Sequence, residues 1–374
     1  MTGMLTNGFG HATRAVVTIK ALATLGHHVV IVSSAPPFIF RDTIESCANC
    51  ELRSIATLCP GVIQKDPVTV DVAETMRQLD VFWTDAKDVV GTEAEWMKGA
   101  RLDVVCLDAP FLPASVAKQL GIPSILLTNF TFDAIFSALA NTPKATHLVS
   151  QCTSMYNSTD LLLRMPGHIP IPAFTHRPDH IIDISLIVRK SRESRTAVRE
   201  MLDIPVDAPC VLITFGGFEL GEDVLTEEKV LPDGWYGLLA CRSAGADALG
   251  RLRRIRTDRY YMPDLINAAD VVMGKCGYGT CSEVVAHNVP LVYVPRSGFE
   301  TEEEGLVGNL MGPYGHAVEM PQTDFYAGNW AGYIAKAAEL RAQPVREQIA
   351  HDGEILAAET VVAVGRRKFP GLRT

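Results

Sequence analysis

The sequence predicts an α/β protein of two domains, each an open parallel sheet covered by helices. Three observations predict it. At 374 residues the chain is too long for one ordinary core, since domains average about 150 residues. Short continuous apolar runs alternate with amphipathic stretches, the pattern of strands that helices bury on both faces. The alternation also starts twice, each time with a strand that runs into glycines, at Asn7-Gly8-Phe9-Gly10 and at Phe215-Gly216-Gly217-Phe218.

The elements follow in order. The residues before Asn7 leave room for a short first strand and then a tight, glycine-rich turn. Ala15–Leu25 has apolar residues at helical spacing and stops at Gly26, the residue favoured just past a helix end. Val29–Val32 is a β-branched strand closed by Ser33-Ser34 and Pro36-Pro37. Asp103–Asp108 is a second such run, followed by a helix that ends at Gly121 and a strand over Ser124–Thr128. The charged segment Asp183–Asp207, with Pro205 and Pro209 at its end, reads as the linker and carries a helix over Ser194–Leu202. Strands then follow at Cys210–Thr214, Tyr236–Cys241, Asp270–Gly274 and Leu291–Val294, with a helix from about Thr280. The expected division is a first domain over 1–190 and a second over 191–374, with the last helix free to pack back on the first. Two such sheets facing across a cleft would bind ligands beyond the carboxyl ends of their strands, where the glycine turns lie.

Composition narrows the partners. A formal charge of −9 and a pI of about 5.6 argue against nucleic acid or an anionic membrane as a general partner. No apolar run approaches the roughly 20 residues that span a bilayer, and the first residues do not read as a signal peptide. Nine cysteines without framework spacing fit a reducing compartment, so a cytoplasmic location is expected. Cys47-Ala48-Asn49-Cys50 is the one close pair. Only Cys59, His27 and His28 are nearby, no second pair completes a zinc pattern, and no metal is expected.

The glycine turns can do chemistry. In Gly274-Lys275-Cys276-Gly277-Tyr278-Gly279-Thr280-Cys281-Ser282-Glu283, a strand meets a helix start, where free N–H groups and the helix dipole attract an anion. Gly277 and Gly279 permit close backbone approach, Thr280 or Ser282 can add a hydroxyl donor, and Glu283 can accept from the hydroxyls of a ribose. The T-x-x-E spacing of Thr280 and Glu283 equally fits a capping box. No G-K-[ST] is present, so this is not a Walker A loop.

"MPDLINAADVVMGKCGYGTCSEVVAHNVPLVYVPR" resembles the donor-binding motif of family 28 glycosyltransferases. The chain also resembles, over nearly its whole length, the N-terminal glycosyltransferase-like region of L-arabinokinases and its stand-alone relatives. The matching stretches are "NGFGHATR", "LTNFTFDAIF", "LLLRMPGHIPIPAF", "FGGFELG" with "LPDGW", and "YMPDLINAADVVMGKCGYGTCSE". Those kinases continue into a kinase domain; the 374 residues here reach Thr374 without one, and kinase activity is not expected.

The resemblance implies a GT-B fold: two Rossmann-like domains, the donor nucleotide sugar on the second and the acceptor on the first. Gly277, Gly279 and Thr280 would meet the donor diphosphate, Glu283 the ribose, Gly216 and Gly217 the region near the phosphates, and Met262 the nucleobase. Glu302 and Glu303, in "RSGFETEEEGL", stand where relatives carry an acidic F-x-E-E-P near the donor sugar; this chain has an extra residue and no proline, and a solvated acidic loop is the competing reading. Gly8, Gly10 and Arg14 would lie on the acceptor side. Arg14 and Lys275 would either neutralise phosphate or form surface or interdomain salt bridges.

His11 is the candidate base, because imidazole titrates near neutrality; the competing reading is a structural histidine capping a helix that starts near Ala12. The family's first motif histidine is Asn7 here. No D-x-D motif is present, so the leaving diphosphate would be stabilised by the helix start. The expectation is a metal-independent, inverting glycosyltransferase using a nucleotide sugar, a UDP-sugar, as co-substrate, an unknown hydroxyl as acceptor and no cofactor. A sugar-nucleotide-binding module, favoured by Asn7, and a nucleotide-sugar epimerase of the same fold are the alternatives.

Overall fold

The computed structural model describes every residue except Asn7, 56–57, 217–229, 242–247, Asp258 and 367–374. It divides into two compact units. Unit 1 comprises Met1–Ile63, Asp71–Val188 and Ala350–Thr374, and unit 2 comprises Gln64–Val70 and Arg189–Ile349. The chain therefore enters and leaves unit 2 twice, where a single cut at residue 190 would cross it once.

In unit 1, seven parallel strands form one sheet: β1 Thr2–Thr6, β2 Val29–Ser33, β3 Cys50–Ser54, β6 Val104–Asp108, β7 Ser124–Thr128, β8 Leu161–Arg164 and β9 Ile181–Asp183. Their order is β3-β2-β1-β6-β7-β8-β9. Every residue of β1, β2, β6 and β7 is buried, which explains the continuous apolar runs within β2, β6 and β7. The helix after β1 runs Gly8–Thr24, four residues before the Ala12 start. Gly8 and Gly10 thus open a helix and do not form a strained turn. A side chain on Gly10 would meet nothing within 4 Å.

The 29-residue helix Val72–Ala100 has too little net apolar content to announce itself as core. Asp71 caps it by accepting from the Glu74 N–H at 3.0 Å. The last helix, Gly353–Gly365, belongs to unit 1 with the helix Gly8–Thr24. Its Ala357, Ala358, Val361 and Val364 are buried.

Unit 2 contains a second seven-stranded sheet, ordered β12-β13-β11-β10-β14-β15-β16. Its strands are β10 Cys210–Thr214, β11 Tyr236–Cys241, β12 Ala248–Leu249, β13 Leu252–Arg256, β14 Val271–Lys275, β15 Leu291–Val294 and β16 Ala317–Glu319. All pair in parallel except β12 with β13. Gly274 allows β14 to lie against β10, because a Cβ there would stand 2.2 Å from the Thr214 carbonyl oxygen. The short hairpin of β4 Gln64–Asp66 and β5 Thr69–Val70 adds to this unit.

The chain passes from unit 1 to unit 2 at Val188–Arg189, inside the segment expected to be the linker, and most of that segment is anchored in unit 2. Its helix Arg195–Met201 is tied to unit 2 by Arg195 and Arg199, which both bind Asp270, at 2.6 and 2.7 Å. Arg189, Arg195 and Arg199 of this segment are each paired with a carboxylate of unit 2.

Candidate active site

In unit 1 the strand order reverses between β1 and β6, whose outer neighbours β2 and β7 follow in opposite directions. Such a switch point leaves a crevice beyond the carboxyl ends of the two central strands. His11 lies one helical turn past β1, and Asp108 closes β6; together they occupy that switch point.

His11 Nδ1 stands 2.9 Å from Asp108 Oδ1. Arg14, one turn along the same helix, donates Nε to Asp108 Oδ2 at 2.8 Å and Nη2 to Oδ1. Arg14 also donates Nη2 to Thr128 Oγ1 at 3.1 Å and Nη1 to Asn129 Oδ1 at 2.6 Å. The His11 tautomer follows from these bonds. Arg14 Nη2 lies 3.0 Å from His11 Nδ1, but its two hydrogens already serve Asp108 and Thr128. The proton between His11 and Asp108 is therefore on Nδ1, and the lone pair is on Nε2. The ring is held further by the Phe130 edge, 5.3 Å away, and by Phe132 at 6.0 Å.

Asp108 is almost wholly buried. Burial alone would raise its carboxyl, but the Arg14 charge and the hydrogen bonds from Arg14 and His11 hold it below the ordinary carboxylate range. His11 therefore does not cap its helix. Arg14 is not a surface group: it is 6% exposed and clamps Asp108 within unit 1.

Unit 2 repeats the arrangement. Its strand order reverses between β10 and β14. Gly216, just past β10, has φ +72°, which favours glycine; Gly217 lies outside the described residues. Beyond β14, Gly277 caps the helix Tyr278–Ala286 in an extended conformation, and its position, like that of Gly279, would admit a Cβ with nothing within 4 Å. The glycines here leave open space before a helix start, where N–H groups are unpaired by the helix itself.

Lys275 ends β14, and a Cβ on Gly216 would lie 3.8 Å from its Nζ. Burial, and then the charge of Arg296, lower the Lys275 amine to about 8, against the pull of Glu302.

The capping box is absent. Thr280 is already the third residue of the helix, and Glu283 Oε1 accepts from Arg189 Nε at 2.7 Å. Burial raises the Glu283 carboxyl above its ordinary value, against the attraction of Arg189. The Ser282 hydroxyl is turned inward, donating to the Gly279 carbonyl at 3.1 Å.

The acidic segment is no solvated loop either. Glu302 and Glu303 lie buried in the helix Glu300–Leu306, bound to the buried Arg296 at 3.1 and 2.9 Å. Met262 opens the helix Met262–Ala268, preceded by Tyr261 with the Arg192 guanidinium 4.0 Å from its ring centre. Among the described residues, no three His, Cys, Asp or Glu side chains gather as a metal site would need, and no helix is long and apolar enough to cross a membrane.

Asp108 and Arg189 were not singled out as site residues from sequence. Asp108 had one usable signal, a charged residue ending an apolar strand. Arg189 had none, because its partner is 94 residues away.

No family model matches the chain. The L-arabinokinase of Arabidopsis thaliana is 34% identical over 354 residues, covering 94% of this chain and 33% of the relative. The kitacinnamycin glycotransferase superposes with a TM-score of 0.68 at 17% identity, over 99% of both chains. The chain has the GT-B fold and is similar over 94% of its length to part of L-arabinokinase. This GT-B protein spans about a third of the length of that kinase. It also matches a putative UDP-N-acetylglucosamine 2-epimerase from Listeria monocytogenes, with a TM-score of 0.55 at 12% identity, over 97% of this chain and 94% of that one. At such identities the structural likeness shows the fold.

Proposed function

We propose that this GT-B protein transfers a sugar from a nucleotide-sugar donor held by unit 2 to an acceptor hydroxyl deprotonated by His11 of unit 1. The observation that carries the reading is the His11–Asp108 pair. A carboxylate fixing Nδ1–H leaves Nε2 as a proton acceptor of defined direction, which transfer to a hydroxyl needs and a plain binding module does not. In unit 2, the open glycines Gly277 and Gly279, the helix start at Tyr278 and the Lys275 ammonium supply positive potential for a departing diphosphate. We assign the donor as a UDP-sugar, the stereochemical course as inverting, and the leaving-group stabilisation to these groups without a metal. Fold relatives include a glycosyltransferase and an epimerase, both named for chemistry on sugars, which supports the donor class.

The test is a thermal-shift series with UDP, thymidine diphosphate and their sugars, with and without chelator, followed by a donor-turnover assay. The expected result is a shift that survives the chelator, and turnover that His11→Ala lowers by about 10²–10⁴-fold with donor affinity intact. Turnover unchanged in His11→Ala would remove the base assignment. Nucleotide binding with no turnover of any donor would leave a binding module.

A further inference from the structure

Residues 64–70 belong to the first half of the sequence and to unit 2. Backbone bonds fix their hairpin there. The Val70 N–H donates to the Ser297 carbonyl at 3.0 Å, and the Ser297 N–H to the Val68 carbonyl at 2.9 Å. Gln322 Nε2 donates to that same Val68 carbonyl at 3.2 Å, and the Val68 side chain is buried in the unit 2 core. Gly298, at φ +88°, passes so close that a Cβ would stand 2.7 Å from Val70 Cβ. A segment held this firmly keeps its first residue, Gln64, in one place.

There Gln64 Oε1 accepts from Lys275 Nζ at 3.4 Å. An ammonium can only donate, so the atom facing it is the carbonyl oxygen, and the amide nitrogen is directed elsewhere. That nitrogen, Nε2, is buried and makes no hydrogen bond among the described residues. Native interiors satisfy most such donors, so this one, beside Lys275 at the switch point, is available to a ligand. The crevice is the unit 2 switch point, with the Gly216 turn on one side and the open Gly277 and Gly279 positions on the other.

We propose that Gln64 is a donor-binding residue, whose Oε1 aims the Lys275 ammonium at the diphosphate of a sugar nucleotide and whose Nε2 donates to one of the diphosphate oxygens. The inference rests on the reading of unit 2 as the nucleotide-sugar unit. Charged groups bearing on Lys275 include Arg296, which disfavours its protonated form, and Glu302, which favours it. The neutral carboxamide stabilises the ammonium without competing for the ligand as a carboxylate would. The hairpin thus gives the diphosphate site a polar contact from a part of the sequence remote from both glycine motifs.

Isothermal titration of the whole chain with UDP, inorganic pyrophosphate and uridine, from pH 6.5 to 9.5, tests the proposal. Wild-type affinity for UDP should fall as pH rises past about 8, where Lys275 loses its proton. Gln64→Leu should bind UDP and pyrophosphate about tenfold more weakly and bring that fall to lower pH. Gln64→Glu should move the fall to higher pH while weakening binding, because its carboxylate holds the proton on Lys275 and repels phosphate. Uridine, which lacks phosphate, should bind all three proteins alike. Equal UDP affinity and an unmoved pH midpoint in Gln64→Leu would overturn the assignment, as would an equal loss of uridine binding, the mark of a merely structural role. Failure of the wild type to bind UDP would instead remove the nucleotide-sugar reading, and this inference with it.

Discussion

Arg14 shows how one residue sets a site. Its guanidinium is the main counter-charge for a carboxylate that is 1% exposed. Arg14→Met should therefore destabilise the protein by about 3–5 kcal/mol, the cost of leaving a buried charge with half its partners, as read by urea denaturation at pH 7. The sign with pH follows from Asp108. Its folded value is depressed, so its contribution is present above the ordinary value of 3.8 and is lost as pH falls through the folded value. Arg14→Met should accordingly lose the part of the acid sensitivity that arises below pH 4.

Lys275 behaves oppositely. The unfolded chain holds its proton up to 10.5 and the folded protein releases it at about 8, so stability rises with pH between these values. Lys275→Met should stabilise the ligand-free protein by about 2–3 kcal/mol at pH 7 and flatten that rise, again by denaturation.

Among elements, the two glycine-marked strand ends differ in what their glycines do. Gly274 is needed for packing, since its missing Cβ leaves room for the Thr214 carbonyl of the neighbouring strand. Gly274→Ala should cost about 3 kcal/mol by forcing β10 and β14 apart. Gly277, three residues further along the same motif, caps a helix facing open space. Gly277→Ala should fold with a loss of only about 1 kcal/mol or less and should weaken UDP binding, since a methyl group would stand where the diphosphate approaches the N–H groups. Equal denaturation midpoints for the two variants would contradict this separation of roles. The first glycine motif is different again. Gly8 and Gly10 are helical, and the sequence stretch that looked like a strained turn positions His11 by giving it a place in a first helical turn.

For the whole molecule, the decisive feature is that neither unit is a continuous piece of chain. The final helix completes unit 1, with Ala357, Ala358, Val361 and Val364 buried. Deleting residues 350–374 should expose the apolar face they cover and loosen unit 1, seen as faster hydrogen exchange in Gly8–Thr24, while the strands of unit 2 keep their protection. Exchange that increases equally in both units would show that the helix stabilises the protein as one cooperative body.

The sequence by itself determined the two parallel sheets and most of their strands. Ser124–Thr128, Cys210–Thr214, Tyr236–Cys241 and Leu291–Val294 have the same bounds in the structure as in the pattern, because strands buried on both faces must be apolar throughout. It also marked His11 and the Gly277–Glu283 segment, since glycines beside a titratable ring or a helix start are local signals. Only the tertiary structure decided the partners. Asp108 reaches His11 across 97 residues, Arg189 reaches Glu283 across 94, and Lys275 reaches Gln64 across 211. Strand order determines those meetings, and order is a property of packing that no window of sequence contains. The same reason explains Glu302 and Glu303. From sequence they stood between a donor-sugar contact and a solvated acidic loop; Arg296, brought beside them by the turn after β15, pairs with both of them in a buried setting.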